Sequence, residues 1–120
     1  VHRDIKPGNI LRDAAGVIKV ADLGLARLNG PADAPGTNTS LTQAGGMVGT
    51  MDYMPPEQAL DSSTIDRRAD VYSLGCTLHY LLTARPPYQA ASIMALLLKH
   101  REAPIPSLCA ARPETPPQLD

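Results

Sequence analysis

The sequence contains no tryptophan and no phenylalanine, and it has only two cysteines, Cys76 and Cys109. Two cysteines without a CxxC pair argue against a disulfide framework or a zinc site and favour a reducing compartment. The longest aliphatic run, residues 93–98, is far shorter than a membrane-spanning helix. A net charge of -1 provides no basic field that could hold a nucleic acid or an anionic membrane by charge alone.

The composition is nevertheless that of a folded chain. Hydrophobic residues make up 43% of the 120 positions, which suits one small domain rather than a disordered segment. The 12 prolines and 9 glycines leave room only for short elements. Because the chain opens with Val1 rather than Met and shows no signal-peptide pattern, we expect a piece of a longer protein.

Two short apolar runs, residues 9–11 and 17–20, flank an Ala-Ala-Gly turn and predict a β-hairpin. We expect Ile10 and Leu11 to pair with residues 18–19. Antiparallel pairing would bring three polar side chains to one end of the hairpin: Asp4, Asn9 and Asp22.

Helical periodicity predicts a largely buried helix over residues 67–83 with Asp66 as its N-cap, and a shorter one over residues 92–100 capped by its first serine. His79 is expected at the edge of the core and His100 on the surface. Residues 28–50 are rich in Gly, Pro, Asn, Thr and Ser and predict a long loop. The five prolines after residue 102 make the tail a poor candidate for a helix or a strand.

Four motifs carry the chemistry. They are HRDIKPGN at residues 2–9, DLG at 22–24, GTMDYMPPE at 49–57 and DVYSLG at 70–75. Their order and spacing resemble the eukaryotic-type (Hanks-type) serine/threonine protein kinases, with Leu in place of the usual Phe in the DFG triplet and Pro in place of Ala before the PE pair. The PEQA run at residues 56–59 resembles the bacterial members most.

The resemblance implies an α+β, protein-kinase-like fold of which this chain is a C-lobe fragment. No Gly-rich loop, strand lysine or helix glutamate of the N-terminal lobe occurs in the sequence, so we expect the chain alone to be inactive. In chain order, the implied parts are catalytic loop 1–9, metal-binding triplet 22–24, activation segment 22–57, helical part 66–100 and Pro-rich end 103–120.

The resemblance also implies the roles of the polar residues. Phosphoryl transfer from ATP needs an oriented acceptor hydroxyl and a neutralised triphosphate. Asp4 would accept the hydroxyl proton, and Lys6 would face the transferring γ-phosphate. Asn9 and Asp22 would supply oxygen ligands to Mg²⁺, or to Mn²⁺ in its place.

Other residues would regulate or support the site. Arg3 would bind a phosphate on the activation segment, for which Thr42 is the expected site, or would instead form an ion pair with a nearby carboxylate. Thr50 would bond Asp4 and Lys6 and shape the acceptor site. Three structural roles complete the set: His2 beside the metal-binding triplet, Glu57 as partner of an arginine from a later helix, and Asp70 as acceptor for the backbone near His2 and Arg3.

These features predict an ATP-dependent kinase that acts on proteins, with no nucleic-acid partner and with its kinase domain in the cytoplasm. Two alternatives stay open, a pseudokinase or interaction module, and a small-molecule phosphotransferase of the aminoglycoside type. Retention of Asp4, Lys6, Asn9, Asp22 and Thr50 argues against the first, and the activation segment argues against the second. Membrane anchoring of the parent protein, its protein substrate and its oligomeric state are left open by the sequence.

Overall fold

The computed structural model describes residues 1–21, 49–60 and 65–120. An N-terminal segment without regular secondary structure leads into a 3₁₀ turn, Pro7–Asn9, and then into a hairpin of β1 (Ile10–Arg12) and β2 (Ile18–Val20). The predicted hairpin is therefore confirmed. Its register differs from the prediction, because Ile10 pairs with Val20 and Leu11 with Lys19.

The turn between the strands explains this register. The side chain of Asp13 accepts hydrogen bonds from the backbone N–H groups of Ala15 (3.0 Å) and Val17 (2.9 Å), and Asp13 N donates to Val17 O (3.0 Å). The bond from Val17 lowers the pKa of the exposed Asp13 carboxyl. Gly16 takes a positive φ of 85°, which glycine adopts without strain. Asp13 thus closes the turn and leaves Arg12 opposite Ile18.

Four α-helices lie entirely within the described residues after the hairpin. They are α1 (Pro56–Leu60), α2 (Arg68–Thr83), α3 (Ile93–Glu102) and α4 (Leu108–Ala111), and a second 3₁₀ turn, Pro117–Leu119, ends the chain. Helix α1 packs on α3, α4 packs on α2, and the Pro7–Asn9 turn also contacts α2. Helix α2 is therefore the element on which the N-terminal segment rests.

Helix α2 begins one residue later than predicted. Its N-cap position is Arg67, although Asp66 still accepts a bond from the backbone N–H of Arg68 at 2.8 Å. The prediction that α2 is buried on most sides is wrong, because Val71 is 68% exposed and Leu81 58%. In the described part of the chain, neighbours cover mainly a face of small residues: Ala69, Ser73, Cys76 and Thr77.

Helix α3 confirms the predicted cap, since Ser92 Oγ accepts a hydrogen bond from Ala95 N at 3.2 Å. The helix extends two residues beyond the predicted end. The expectation that His100 lies on the surface is wrong, because its side chain is buried between Tyr72 of α2 and the ring of Tyr88.

The Pro-rich tail also differs from the prediction, since it contains α4. Ser107 caps this helix by accepting a bond from Ala110 N, and Asp120 accepts bonds from Ser107 Oγ and Cys109 N. Arg112 ties the tail to α2 through Leu82 O at 3.2 Å. Within the three described ranges, no helix combines the length and the apolar character needed to cross a membrane.

Candidate active site

The site is built around Asp4, whose side chain is 8% exposed. The 3₁₀ turn brings Asn9 back toward it, with Asn9 N donating to Lys6 O at 3.0 Å. Asn9 Nδ2 then donates to the backbone oxygen of Asp4 at 2.8 Å and to its Oδ2 at 2.9 Å. Because this amide is buried and directed at Asp4, it fixes the carboxylate and turns its own oxygen away from Asp4.

Lys6 lies on the other side of the same carboxylate. Its Nζ is 2.9 Å from Asp4 Oδ2 and donates to Thr50 Oγ1 at 3.2 Å. Lys6 is 27% exposed and Asp4 is buried, so the pair is only partly screened by solvent. One ammonium therefore links the buried carboxylate to a hydroxyl 44 positions later in the sequence.

Asp70 of α2 holds the backbone of the loop. Its two carboxylate oxygens accept hydrogen bonds from His2 N and Arg3 N, both at 2.8 Å. Arg3 has a φ of 69°, a left-handed conformation that is uncommon for a residue with a side chain. The backbone contacts expected for Asp70 are thus present, and they coincide with this unusual turn of the chain.

His2 connects the loop to the end of the hairpin. Its Nδ1 accepts a bond from Asp4 N (3.3 Å), so Nε2 carries the proton and donates to Ala21 O (3.1 Å). Ala21 N in turn donates to Asn9 O at 2.7 Å. These bonds hold the backbone immediately before Asp22 beside Asn9, whereas Asp22 itself lies outside the described residues.

Three further residues were predicted to support or regulate the site: Thr42, Glu57 and Arg3. Thr42 lies outside the described residues. Glu57 is exposed on α1 and forms no ion pair within the part of the chain that the structure describes. Arg3 likewise has no ion-pair partner in the described ranges, and its Nε is buried without a hydrogen-bond partner.

Buried phenol and thiol groups underlie the site. Burial, with the nearby charge of Asp52 as a smaller cause, raises the pKa of Tyr53 to about 12, and the ring of Tyr53 meets that of Tyr80 edge-on at 6.1 Å. Burial also raises the pKa of Cys76 to about 11. Both groups are therefore neutral near pH 7 and act as packing residues rather than as nucleophiles.

A divalent cation fits the chemistry of the donor set. Asn9 commits its N–H groups to Asp4, and its carbonyl oxygen is the kind of ligand that Mg²⁺ prefers. Among the described residues there is no cluster of three or more His, Cys, Asp or Glu side chains that could hold a metal alone. Asn9 is thus a described residue that could contribute an oxygen ligand to such a cation.

Two contacts were not foreseen. Gln58 of α1 donates to Arg3 O at 3.0 Å, and Tyr72 meets His100 at 2.6 Å. Gln58 belongs to the PEQA run, but no local pattern indicates a partner 55 positions earlier. The histidine near the end of α3 likewise carries no local sign of burial.

Comparison with known proteins decides the family. The protein-family model described as "Protein kinase domain" matches residues 1–116. The chain belongs to the protein kinase domain family. Members of this family use ATP and Mg²⁺ for phosphoryl transfer.

The relatives confirm the expected resemblance to bacterial serine/threonine kinases. The chain is 42% identical over 120 residues to the probable serine/threonine-protein kinase PknB of Bifidobacterium longum, covering 100% of this chain and 16% of that protein. It is 45% identical over 107 residues to PknB of Mycobacterium leprae, covering 88% of this chain and 16% of that protein. Identity to the probable kinase SCO3848 of Streptomyces coelicolor is 42% over 122 residues, covering 100% and 17%. The chain spans about one sixth of the length of these relatives.

Proposed function

We propose that the protein containing this chain is a serine/threonine protein kinase that transfers the γ-phosphate of ATP to hydroxyl groups of protein substrates. The observation that carries the proposal is the cluster of Asp4, Lys6, Asn9 and Thr50, which joins a buried carboxylate, an ammonium, an amide and a hydroxyl through contacts of 2.9 to 3.2 Å. The similarity to bacterial serine/threonine kinases supports the same class of acceptor.

Asp4 is suited to orient the acceptor hydroxyl and to take its proton. Its carboxylate is held by Asn9 on one side and by Lys6 on the other, so little reorganisation is needed when a substrate hydroxyl arrives. Lys6 can neutralise charge that develops on the transferring phosphoryl group. Thr50, bonded to Lys6, would form the wall against which the acceptor side chain packs.

Asn9 and Asp22 are the residues proposed to hold Mg²⁺, or Mn²⁺ in its place. Such a cation would offset the negative charge of the phosphate groups. Asp4 orients the hydroxyl and is not proposed as a direct metal ligand. The bond from Ala21 N to Asn9 O keeps the chain entering Asp22 close to the amide that would share this task.

The decisive experiment uses the full-length gene product and compares wild type with Asp4→Asn, Asp22→Ala and the exposed control Glu114→Gln. We expect transfer of labelled γ-phosphate to serine or threonine of a protein substrate by wild type and by the control. Asp4→Asn should lower turnover by about 100-fold or more with ATP affinity retained, and Asp22→Ala should abolish turnover. Full turnover by Asp4→Asn would refute the assignment.

The same assay separates the alternatives. ATP binding without transfer by the wild-type protein would indicate a pseudokinase. Transfer to aminoglycosides but not to proteins would indicate a small-molecule phosphotransferase. We further propose that the kinase domain works in the cytoplasm, where ATP is supplied, and that the 120-residue chain alone is inactive, since the nucleotide also needs a Gly-rich loop and a strand lysine that this sequence does not contain.

A further inference from the structure

The backbone of Arg3 is held by side chains from two different helices. Asp70 of α2 accepts from its N–H, and Gln58 of α1 donates to its carbonyl oxygen at 3.0 Å. Between these two bonds, Arg3 adopts its left-handed φ of 69°. A residue with a side chain keeps such a conformation only where the surrounding structure enforces it.

The carbonyl of Arg3 belongs to the peptide unit that also contains the nitrogen of Asp4. Because that unit is planar, a bond that orients the carbonyl also sets the direction in which the chain enters Asp4. Gln58, Arg3, Asp4 and Thr50 line one small cavity of about 10 Å³. The Gln58 amide therefore acts directly beside the proposed catalytic carboxylate.

Packing alone does not explain an amide at position 58. Gln58 Oε1 is buried without a hydrogen-bond partner among the described residues. A buried acceptor left without a partner costs free energy, so an apolar side chain of equal length would fill the space at lower cost. Such a side chain could not, however, donate a hydrogen bond to Arg3 O.

We propose that Gln58 is a positioning residue for Asp4, which couples the helix after the activation segment to the catalytic loop. The inference rests on the proposed kinase function, since positioning matters through the turnover that Asp4 supports. Helix α1 then affects the geometry of the proton acceptor, Asp4, directly through the hydrogen bond from Gln58 to the Arg3 carbonyl. This bond requires no charge on either partner.

The test compares Gln58→Met with Gln118→Met in the full-length protein. Both variants replace a glutamine by an unbranched apolar side chain, but Gln118 is exposed and has no side-chain hydrogen bond within the described ranges. We expect Gln58→Met to lower kcat by about tenfold while the KM for ATP and the melting temperature stay near those of the control. Equal kcat values for the two variants would overturn the proposal.

The pH dependence of kcat in Gln58→Glu distinguishes a positioning role from a merely structural one. A protonated glutamic acid can donate to Arg3 O and a carboxylate cannot. The ratio of its kcat to that of wild type should therefore fall as the pH rises through the range in which this group ionises. A ratio that does not change with pH would contradict the proposal, and this variant also decides the matter if Gln58→Met fails to fold.

Hydrogen exchange separates this inference from the kinase function itself. In Gln58→Met, the backbone amides of residues 2–6 should exchange faster than in Gln118→Met, whether or not the protein transfers phosphate. If wild type transfers no phosphate but exchange is faster, the proposed function fails and the positioning contact stands. If exchange is unchanged in a protein that does transfer phosphate, only the role of Gln58 fails.

Discussion

The hydroxyl of Tyr72 lies 2.6 Å from Nδ1 of His100 and joins α2 to the last turn of α3. The ring of Tyr88 also meets this imidazole in a T-shaped contact, with the ring centroids 5.0 Å apart. Burial lowers the pKa of His100, and the nearby backbone of Met51 opposes this effect in part. Burial also raises the pKa of Tyr72, so both partners are neutral near pH 7.

This contact predicts a loss of stability in acid. The pKa of His100 is lower in the folded chain than the ordinary value of 6.5, so the unfolded state binds more protons once the pH falls below that value. The stabilisation is complete above pH 6.5 and is lost as the pH falls toward the folded pKa. We expect chemical denaturation of the full-length protein to show a lower free energy of unfolding at about pH 5.5 than at about pH 7.5. His100→Gln should reduce this difference, and an unchanged difference would contradict the assignment.

Asp70→Ala should destabilise the fold and impair the site together. The substitution leaves the N–H groups of His2 and Arg3 without their acceptor and frees the backbone that precedes Asp4. We expect a loss of about 3 kcal/mol in the free energy of unfolding, measured by chemical denaturation, because bonds to a charged acceptor are stronger than average. Glu114→Ala, which removes an exposed carboxylate, should change it by less than about 0.5 kcal/mol. Equal effects of the two substitutions would exclude a special role for Asp70.

Thr50→Val should lower turnover. Valine keeps the shape of the side chain but cannot accept the bond from Lys6 Nζ, which then loses this contact and keeps the one to Asp4. A bond from a charged donor is worth about 1.5 to 3 kcal/mol, so kcat should fall by about tenfold or more. Thr50→Ser retains the hydroxyl and should keep most of the activity. Steady-state kinetics in which the two variants behave alike would show that the hydroxyl is not used.

Arg3 and Thr42 provide a test of regulation. Arg3 Nε is buried without a partner among the described residues, and a phosphate on the loop would offer it charged acceptors. We expect phosphorylation of Thr42 to raise activity, and both Thr42→Ala and Arg3→Ala to reduce activity after autophosphorylation of the full-length protein. Mass spectrometry should locate the phosphate. Two variants as active as wild type, with no phosphate on residues 37–42, would show that phosphorylation of this segment does not regulate the protein.

Sequence reasoning succeeded where one local pattern sets the geometry. The hairpin brings the segment before Asp22 back to Asn9, and the serine before α3 caps that helix through its own hydroxyl. The predicted register was wrong because the register depends on the Asp13 side chain. Strand propensity does not predict the hydrogen bonds that this side chain makes across the turn.

The contacts that sequence missed join residues far apart in the chain. His100 is buried because Tyr72, 28 positions earlier, faces it from another helix. The bond from Gln58 to Arg3 O depends on how α1 lies against the loop, a relation that no local periodicity contains. Family resemblance supplied the proposed roles of Asp4 and Lys6, whereas the distance between them needed the structure.

The anchoring of the first loop by Asp70 has a consequence for how the chain acquires its shape. During synthesis His2 and Arg3 leave the ribosome 68 and 67 positions ahead of the carboxylate that accepts their hydrogen bonds. Closing a loop of that length costs conformational entropy. The hairpin forms only three residue pairs and is mostly exposed, so its local contacts do not offset this cost. Residues 2–4 therefore stay without their native backbone conformation until α2 has been translated and has folded, so the candidate site assembles late in folding although Asp4 is made long before α2.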